Sequence, residues 1–172
     1  MQALAKSAAD AGYDAALLNA VEEVNLRQKH RIFEKLLAHY KGNLKGKTVA
    51  LWGLSFKPRT DDMRAAPSRV IMEALWDAGA NVRAYDPEAT DAAARLYPDQ
   101  DGLELCDTAY GAIEGADTLV IMTEWQEFRS PDFVALEEKL ADKVIFEGRN
   151  LYEPKTVERH GLKYYAIGRG RV

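Results

Sequence analysis

The stretch LWGLSFKPRTDDMRAAPSRV, residues 51–70, decides the fold and raises the question of function. Its apolar start and Gly53 are typical of a buried strand that runs into a tight turn. In a dinucleotide-binding unit a helix would follow at once, but here a polar loop with Lys57, Arg59 and Arg64 comes first. The sequence therefore predicts a nucleotide-binding type of sheet with an unusual basic loop at the end of its first strand.

Outward from this loop, short apolar strands alternate with helical segments. Strands are predicted at 48–54, 81–86, 103–106, 117–123, 143–150 and 162–168, and helices at 67–78, 88–97, 110–116, 130–140 and 153–161. This alternation predicts an α/β fold with a Rossmann-like, doubly wound and mainly parallel sheet.

The residues before the sheet are predicted to be helical. A short helix ends at Gly12, and a long one runs from Asp14, a candidate N-cap, to Tyr40. A helix of about 27 residues would reach roughly 40 Å, which is longer than one domain of this size needs. Two interpretations remain open: a helix packed along its own domain, or a spine that joins two domains or two subunits.

Composition narrows the function classes. A net charge of −4 argues against nucleic acid as the main partner, and the apolar run TLVIM is too short to cross a membrane. The single cysteine, Cys106, has no activating motif beside it, so we expect a small buried residue and a reducing, cytoplasmic location. The histidines are scattered along the chain, and no metal site is expected.

Ligands of such sheets bind beyond the carboxyl ends of the strands. The loop cations suit a phosphate group, but they could equally pair with Asp61 and Asp62 in solvent. Arg149 follows a glycine directly after a strand, so it is either aimed at the cleft or is an ordinary surface arginine. We expect Trp125 and Phe128 to pack in the core.

The dinucleotide fingerprint is incomplete, because the later glycines of that motif do not follow Gly53. Asp86 ends the second strand, where an acidic residue would hold a ribose. Without the glycines we interpret Asp86 and Pro87 as a capping turn. An enzyme that binds NAD on this sheet itself is the disfavoured alternative.

Several segments together carry a family resemblance. GLSFKPRTDDMRAAPS (53–68), GANVRAYDP (79–87), TEWQEF (123–128) and FEGRN (146–150) closely resemble the C-terminal domain of the nucleotide-sugar dehydrogenases, the UDP-glucose/GDP-mannose dehydrogenase family. QALAKSAADAGYDAALLNAVEEVNLRQKH (2–30) resembles the central dimerisation helix of that family. The resemblance covers essentially the whole chain.

The resemblance implies an organisation and an activity. Residues 1–43 would form a helical dimerisation segment of a homodimer, and residues 44–172 a UDP-sugar-binding domain. Family members oxidise the C6 alcohol of a nucleotide sugar to a carboxylate, with NAD held mainly by a domain that precedes this region. The sequence of the loop, FKPRTDDMRAAPS (56–68), is most similar to the members that act on UDP-glucose, which implies UDP-glucose as substrate and UDP-glucuronate as product.

The resemblance also implies site residues. Phe56, Lys57 and Arg149 match positions that contact the nucleotide sugar, and Arg64 matches a loop arginine that reaches NAD. No catalytic residue is carried over, because the catalytic cysteine loop of the family precedes the matched region and Cys106 does not match it. We therefore expect the chain alone to be inactive. The alternatives are a dehydrogenase for UDP-N-acetylmannosamine or GDP-mannose, and a stand-alone nucleotide-binding or regulatory module.

Overall fold

The computed structural model describes residues 2–169, over which the chain forms seven α-helices, one 3-10 helix and six strands. The helices are α1 (Gln2–Asp10), α2 (Ala16–His39), α3 (Pro67–Asp77), α4 (Thr90–Leu96), α5 (Ala109–Ile113), α6 (Phe133–Lys139) and α7 (Pro154–Arg159), with the 3-10 helix at Gln126–Arg129. The strands are β1 (Thr48–Trp52), β2 (Asn81–Tyr85), β3 (Leu103–Leu105), β4 (Thr118–Ile121), β5 (Val144–Glu147) and β6 (Lys163–Ala166).

The strands form a parallel sheet in the order β3-β2-β1-β4-β5-β6. Leu51 at its centre is in register with Ala84 on one side and Val120 on the other. The order reverses direction between β1 and β4, which leaves a crevice beyond their carboxyl ends. The predicted doubly wound α/β fold is confirmed.

The central strands are buried along almost their whole length. β4 and β5 are buried at every position, and β1 at every position after Thr48. Helices cover both faces of a parallel sheet, which explains why these strands are continuous apolar runs and not alternating ones. The buried apolar residues of the described chain form two clusters, and alternating residues of β1 point into one or the other.

The long helix α2 divides into two halves. Ile32 and Leu36, in its second half, are buried in the same cluster as Leu51 of β1. In the first half Leu17 is 78% exposed and Val24 54%. The packed-helix interpretation therefore describes only the second half, while the first half presents apolar side chains to solvent.

The start of α2 differs from the prediction. The helix begins at Ala16 with Ala15 at the N-cap, and no side chain caps it, so the assignment of Asp14 as N-cap is wrong. Among the helices described over residues 2–169, none is long and apolar enough to cross a membrane.

An ionic network fastens the end of α2 to the amino end of the sheet. Lys47 Nζ lies 2.8 Å from both Asp117 Oδ1 and Asp142 Oδ2, and the Tyr40 hydroxyl donates to Asp142 Oδ2 at 2.9 Å. Burial alone would raise the pKa of Asp142, but the hydrogen bonds from Lys47 and Tyr40 outweigh it and hold the pKa below its usual value. The network lies opposite the edge where ligands of such sheets bind.

Candidate functional site

Gly53 lets the ends of β1 and β4 approach each other closely. It has a φ of +89°, and a Cβ added there would lie 2.6 Å from Thr123 Cβ and 2.7 Å from Thr123 N. Thr123 Oγ1 donates to the carbonyl of Ser55 at 2.6 Å and closes the same junction. The glycine thus serves the contact between two strand ends, whereas in a dinucleotide site it would make room for a pyrophosphate.

Asp86 is 2% exposed and its carboxylate faces the protein. The described residues supply it with six hydrogen bonds: from Leu54 N, Ser55 N, Ser55 Oγ and Trp125 Nε1 to Oδ2, and from Glu88 N and Ala89 N to Oδ1, at 2.7–3.1 Å. The capping role is confirmed. A carboxylate has about four lone-pair positions, so these donors saturate it and leave no acceptor for a ribose hydroxyl. The residues of this sheet therefore do not fit NAD in the usual dinucleotide position.

Arg149 joins three strand ends. It follows β5, its Nε donates to the carbonyl of Met122 after β4 at 2.9 Å, and its Nη2 donates to the carbonyl of Phe56 after β1 at 3.1 Å. Glu124 Oε2 lies 3.0 Å from the same Nε, but the N–H points to Met122, and this oxygen accepts no hydrogen bond from the described residues. Glu124 therefore balances the charge of Arg149 without taking a donor from it.

The guanidinium keeps capacity for a ligand. It has five N–H donors, and the contacts with described residues use two of them. Its side chain is 32% exposed, so the free edge of the fork can be reached from outside. Such a planar fork suits a phosphate or a carboxylate.

A cleft of about 660 Å³ opens between α2 and this edge of the sheet. Arg149, Phe56 and Met122 line it from the sheet, and Asn25 and Gln28 line it from α2. Phe56 is 48% exposed, which leaves much of an aromatic side chain uncovered beside a guanidinium. The structure thus brings Phe56 and Arg149, two of the predicted site residues, to one cleft.

The other two predicted residues lie elsewhere on the loop. Lys57 is exposed and does not line this cleft. Arg64 is 90% exposed and pairs with Asp62, with Nη2 2.8 Å from Oδ2. The hydrogen bonds from Arg64 lower the pKa of Asp62 to about 2. The structure therefore shows the aspartate pairing for Arg64, and contacts of Lys57 and Arg64 with a ligand stay predictions.

Sequence reasoning missed the part of the cleft that α2 contributes. Asn25 and Gln28 face the cleft, and Lys29 donates from Nζ to the carbonyl of Ala65 at 2.9 Å, which ties the helix to the loop. The spacing of Asn25 and Gln28, three positions apart and so on one face of α2, was the feature of the sequence that could have indicated this wall. Trp125 and Phe128 are buried as predicted. The hydrogen bond from Trp125 to Asp86 was not foreseen, because no spacing rule connects them.

Comparison with known proteins identifies the family of the sheet domain. Residues 50–154 match the model of the UDP-glucose/GDP-mannose dehydrogenase family, UDP binding domain. A UDP-glucose 6-dehydrogenase of Pseudomonas aeruginosa is 47% identical over 175 aligned positions, which cover 100% of this chain and 39% of that protein. The chain thus spans well under half the length of this curated relative.

Solved structures agree with this match. A UDP-glucose dehydrogenase from Pyrobaculum islandicum superposes with a TM-score of 0.78 at 25% identity, over 98% of this chain and 36% of that one. A UDP-D-ManNAc dehydrogenase from Pyrococcus horikoshii superposes with a TM-score of 0.73 at 26% identity, over 96% and 36%. On the match of its sheet domain, the chain belongs to the UDP-glucose/GDP-mannose dehydrogenase family and contains that family's UDP binding domain.

Proposed function

We propose that this chain is the UDP-sugar-binding part of a UDP-glucose 6-dehydrogenase. That enzyme would convert UDP-glucose, two NAD⁺ and water to UDP-glucuronate, two NADH and three H⁺. The observation that carries the proposal is the guanidinium of Arg149, which is fixed where three strand ends meet and has free donors beside an open cleft.

The proposed ligand explains the chemistry of this edge. A diphosphate carries charge that a planar guanidinium binds through two parallel hydrogen bonds, and a lysine adds a point charge. Arg149 would supply the fork and Lys57 the point charge, while the exposed ring of Phe56 would contact the nucleotide sugar. The overall charge of −4 makes such a local basic site selective for a small anion over a nucleic acid.

In this proposal NAD binds outside this sheet, because the hydrogen bonds to Asp86 leave its carboxylate no acceptor for the ribose of a dinucleotide. Arg64 projects into solvent and is the residue proposed to meet that cofactor. We expect the 172-residue chain to bind UDP without oxidising a sugar. The free thiol of Cys106 suits the reducing cytoplasm in which we place the protein.

We further propose a homodimer through residues 1–43. Leu17 and Val24 of α2 lie on one face of the helix, because seven positions separate them, and each exposes more than half of its surface. Exposed apolar side chains on one face of a helix are a common feature of association surfaces. A second copy of the same helix would cover this face and leave the packing of Ile32 and Leu36 on the sheet unchanged.

Calorimetric titration with UDP, UDP-glucose and NAD tests the proposed ligand. We expect UDP to bind, and the Arg149→Ala variant to bind it at least about tenfold more weakly, because charge-assisted hydrogen bonds are lost. Lys57→Ala should weaken binding less. Arg159→Ala is the matched control, because this exposed arginine ends α7 at the opposite edge of the sheet. Binding of NAD without UDP would overturn the proposal.

A further inference from the structure

The turn after β5 is built around a buried carboxylate. Glu147 is 0% exposed, and its side chain accepts hydrogen bonds from the backbone N–H of Arg149, from the backbone N–H of Leu151 at 2.6 Å and from the hydroxyl of Tyr164 at 2.7 Å. Burial raises the pKa of the Tyr164 hydroxyl, and its hydrogen bond to Glu147 raises it further. The tyrosine therefore remains a donor to the carboxylate at neutral pH.

These contacts stabilise an unusual backbone. Asn150 lies between the two donating amides and has a φ of +59°, in the left-handed region that few residues other than glycine adopt. Backbone N–H groups that converge from such a turn form a concave site for an anion. Here the anion is the side chain of Glu147 itself, so the protein fills this site and holds the turn in one shape.

Arg149 extends from that turn toward the cleft. Gly148 and Arg149 line the cleft, whereas Glu147 is fully buried and does not. The guanidinium donates to the carbonyls of Met122 and Phe56 together, and because a planar fork has fixed directions, both hydrogen bonds depend on where the turn places the backbone of Arg149. A shift of the turn would therefore weaken their geometry.

We propose that Glu147 is the positioning residue for Arg149, and that it acts on the nucleotide through Arg149 and not by contact. The expected effect of Glu147 on UDP binding rests on the function proposed above. The arrangement of the Arg149 side chain does not depend on any ligand, and can be measured separately.

A double-mutant cycle of UDP affinity tests whether Glu147 acts on the nucleotide through Arg149. Glu147→Gln keeps the volume but turns one acceptor into an NH₂ group that faces an amide donor, so UDP affinity should fall about tenfold. In an Arg149→Ala background the same change should alter affinity by less than about twofold, because its route to the ligand is gone. An equal loss in both backgrounds would overturn the inference. Thr118→Val is the control: it removes another buried hydrogen bond, to Val144 O at 2.9 Å, and should lower stability but not affinity.

A measurement without ligand tests whether Glu147 holds the side chain of Arg149 in place. Exchange of the Arg149 Nε–H with solvent, followed by ¹⁵N NMR, should be slow in the unaltered chain because this N–H donates to Met122. It should become about tenfold faster in Glu147→Gln and stay unchanged in Thr118→Val. If Glu147→Gln does not fold, Tyr164→Phe removes one partner of the carboxylate and should give a smaller increase. Unchanged exchange in the folded variants would overturn the inference, even if UDP binds. Failure of the unaltered chain to bind UDP would count against the proposed function alone.

Discussion

The guanidinium of Arg149 donates to the main-chain carbonyl of Phe56 across 3.1 Å, although 93 positions separate the two residues in the sequence. This hydrogen bond connects the loop after β1 with the turn after β5. Two short segments that resemble known motifs separately thereby become the wall of a single cleft. The orientation of the Arg149 guanidinium can therefore be tested separately from its charge.

Arg149→Lys tests orientation against charge. A lysine keeps the positive charge but cannot donate to Met122 and Phe56 and also grip a phosphate through a planar fork. We expect UDP affinity to fall about tenfold, with a change of less than about 1 kcal/mol in the free energy of unfolding. Calorimetry and urea denaturation measure the two quantities. Wild-type affinity in this variant would mean that a point charge is sufficient.

Gly53→Ala tests the junction between β1 and β4. The new Cβ would lie 2.6 Å from Thr123 Cβ, and the positive φ adds strain, so we expect a loss of about 3 kcal/mol or more in unfolding free energy. Gly115→Ala is the matched control, since Gly115 also has a positive φ, of +73°, but nothing lies within 4 Å of its added Cβ. It should cost only about 1 kcal/mol. Equal losses in urea denaturation would show that strain, and not the contact with Thr123, makes Gly53 necessary.

Asp86→Asn tests the saturated carboxylate. The amide NH₂ would face backbone donors that now point at an oxygen, so we expect a loss of about 3 kcal/mol in unfolding free energy. Asp99→Asn, at an exposed position, should change it by less than about 0.5 kcal/mol. Thermal and urea unfolding would measure both. A stable Asp86→Asn variant would contradict the structural role assigned to this residue.

Acid should weaken the network at the end of α2. The folded-state pKa of Asp142 is below its usual value of 3.8, so its contribution to stability is present above about pH 4 and is lost as the pH falls through the folded-state pKa. We expect Asp142→Asn to lower the unfolding free energy by about 1–2 kcal/mol at pH 6. The difference from the unaltered chain should shrink as the pH falls below about 4 and through the folded-state pKa. A difference that stays constant between pH 6 and pH 3 would mean that the charge of Asp142 does not matter.

Leu17→Glu tests the proposed homodimer. A charge on this exposed position should be harmless in a monomer but should separate two copies that meet through the first half of α2. Sedimentation velocity should show a dimer for the unaltered chain and a monomer for the variant. Val134→Glu, at a position 54% exposed on α6, is the control and should leave the dimer intact. A monomeric unaltered chain would contradict the proposal.

Local patterns predicted the sheet well, because continuous apolar runs and turn residues determine short buried strands. The last residues of the strand predicted over 143–150 were wrong. The strand ends at Glu147, because its carboxylate accepts hydrogen bonds from the backbone amides of Arg149 and Leu151 and the chain turns there. Residues 51–70 alone left open whether the loop cations bind a ligand or pair with aspartates, and the ion pair of Arg64 is a contact that only coordinates reveal. The cleft wall from α2 was missed because helix docking is a tertiary property.

The saturated carboxylate of Asp86 also bears on protein engineering. This sheet has the strand order of a dinucleotide-binding domain and an aspartate at the end of its second strand, so it looks easy to convert into a cofactor module by adding glycines to the first loop. Glycines alone would fail, because the aspartate holds that loop, the start of the next helical segment and Trp125 together. A redesign would first have to supply these donors with new acceptors and only then turn the acid outward to a ribose.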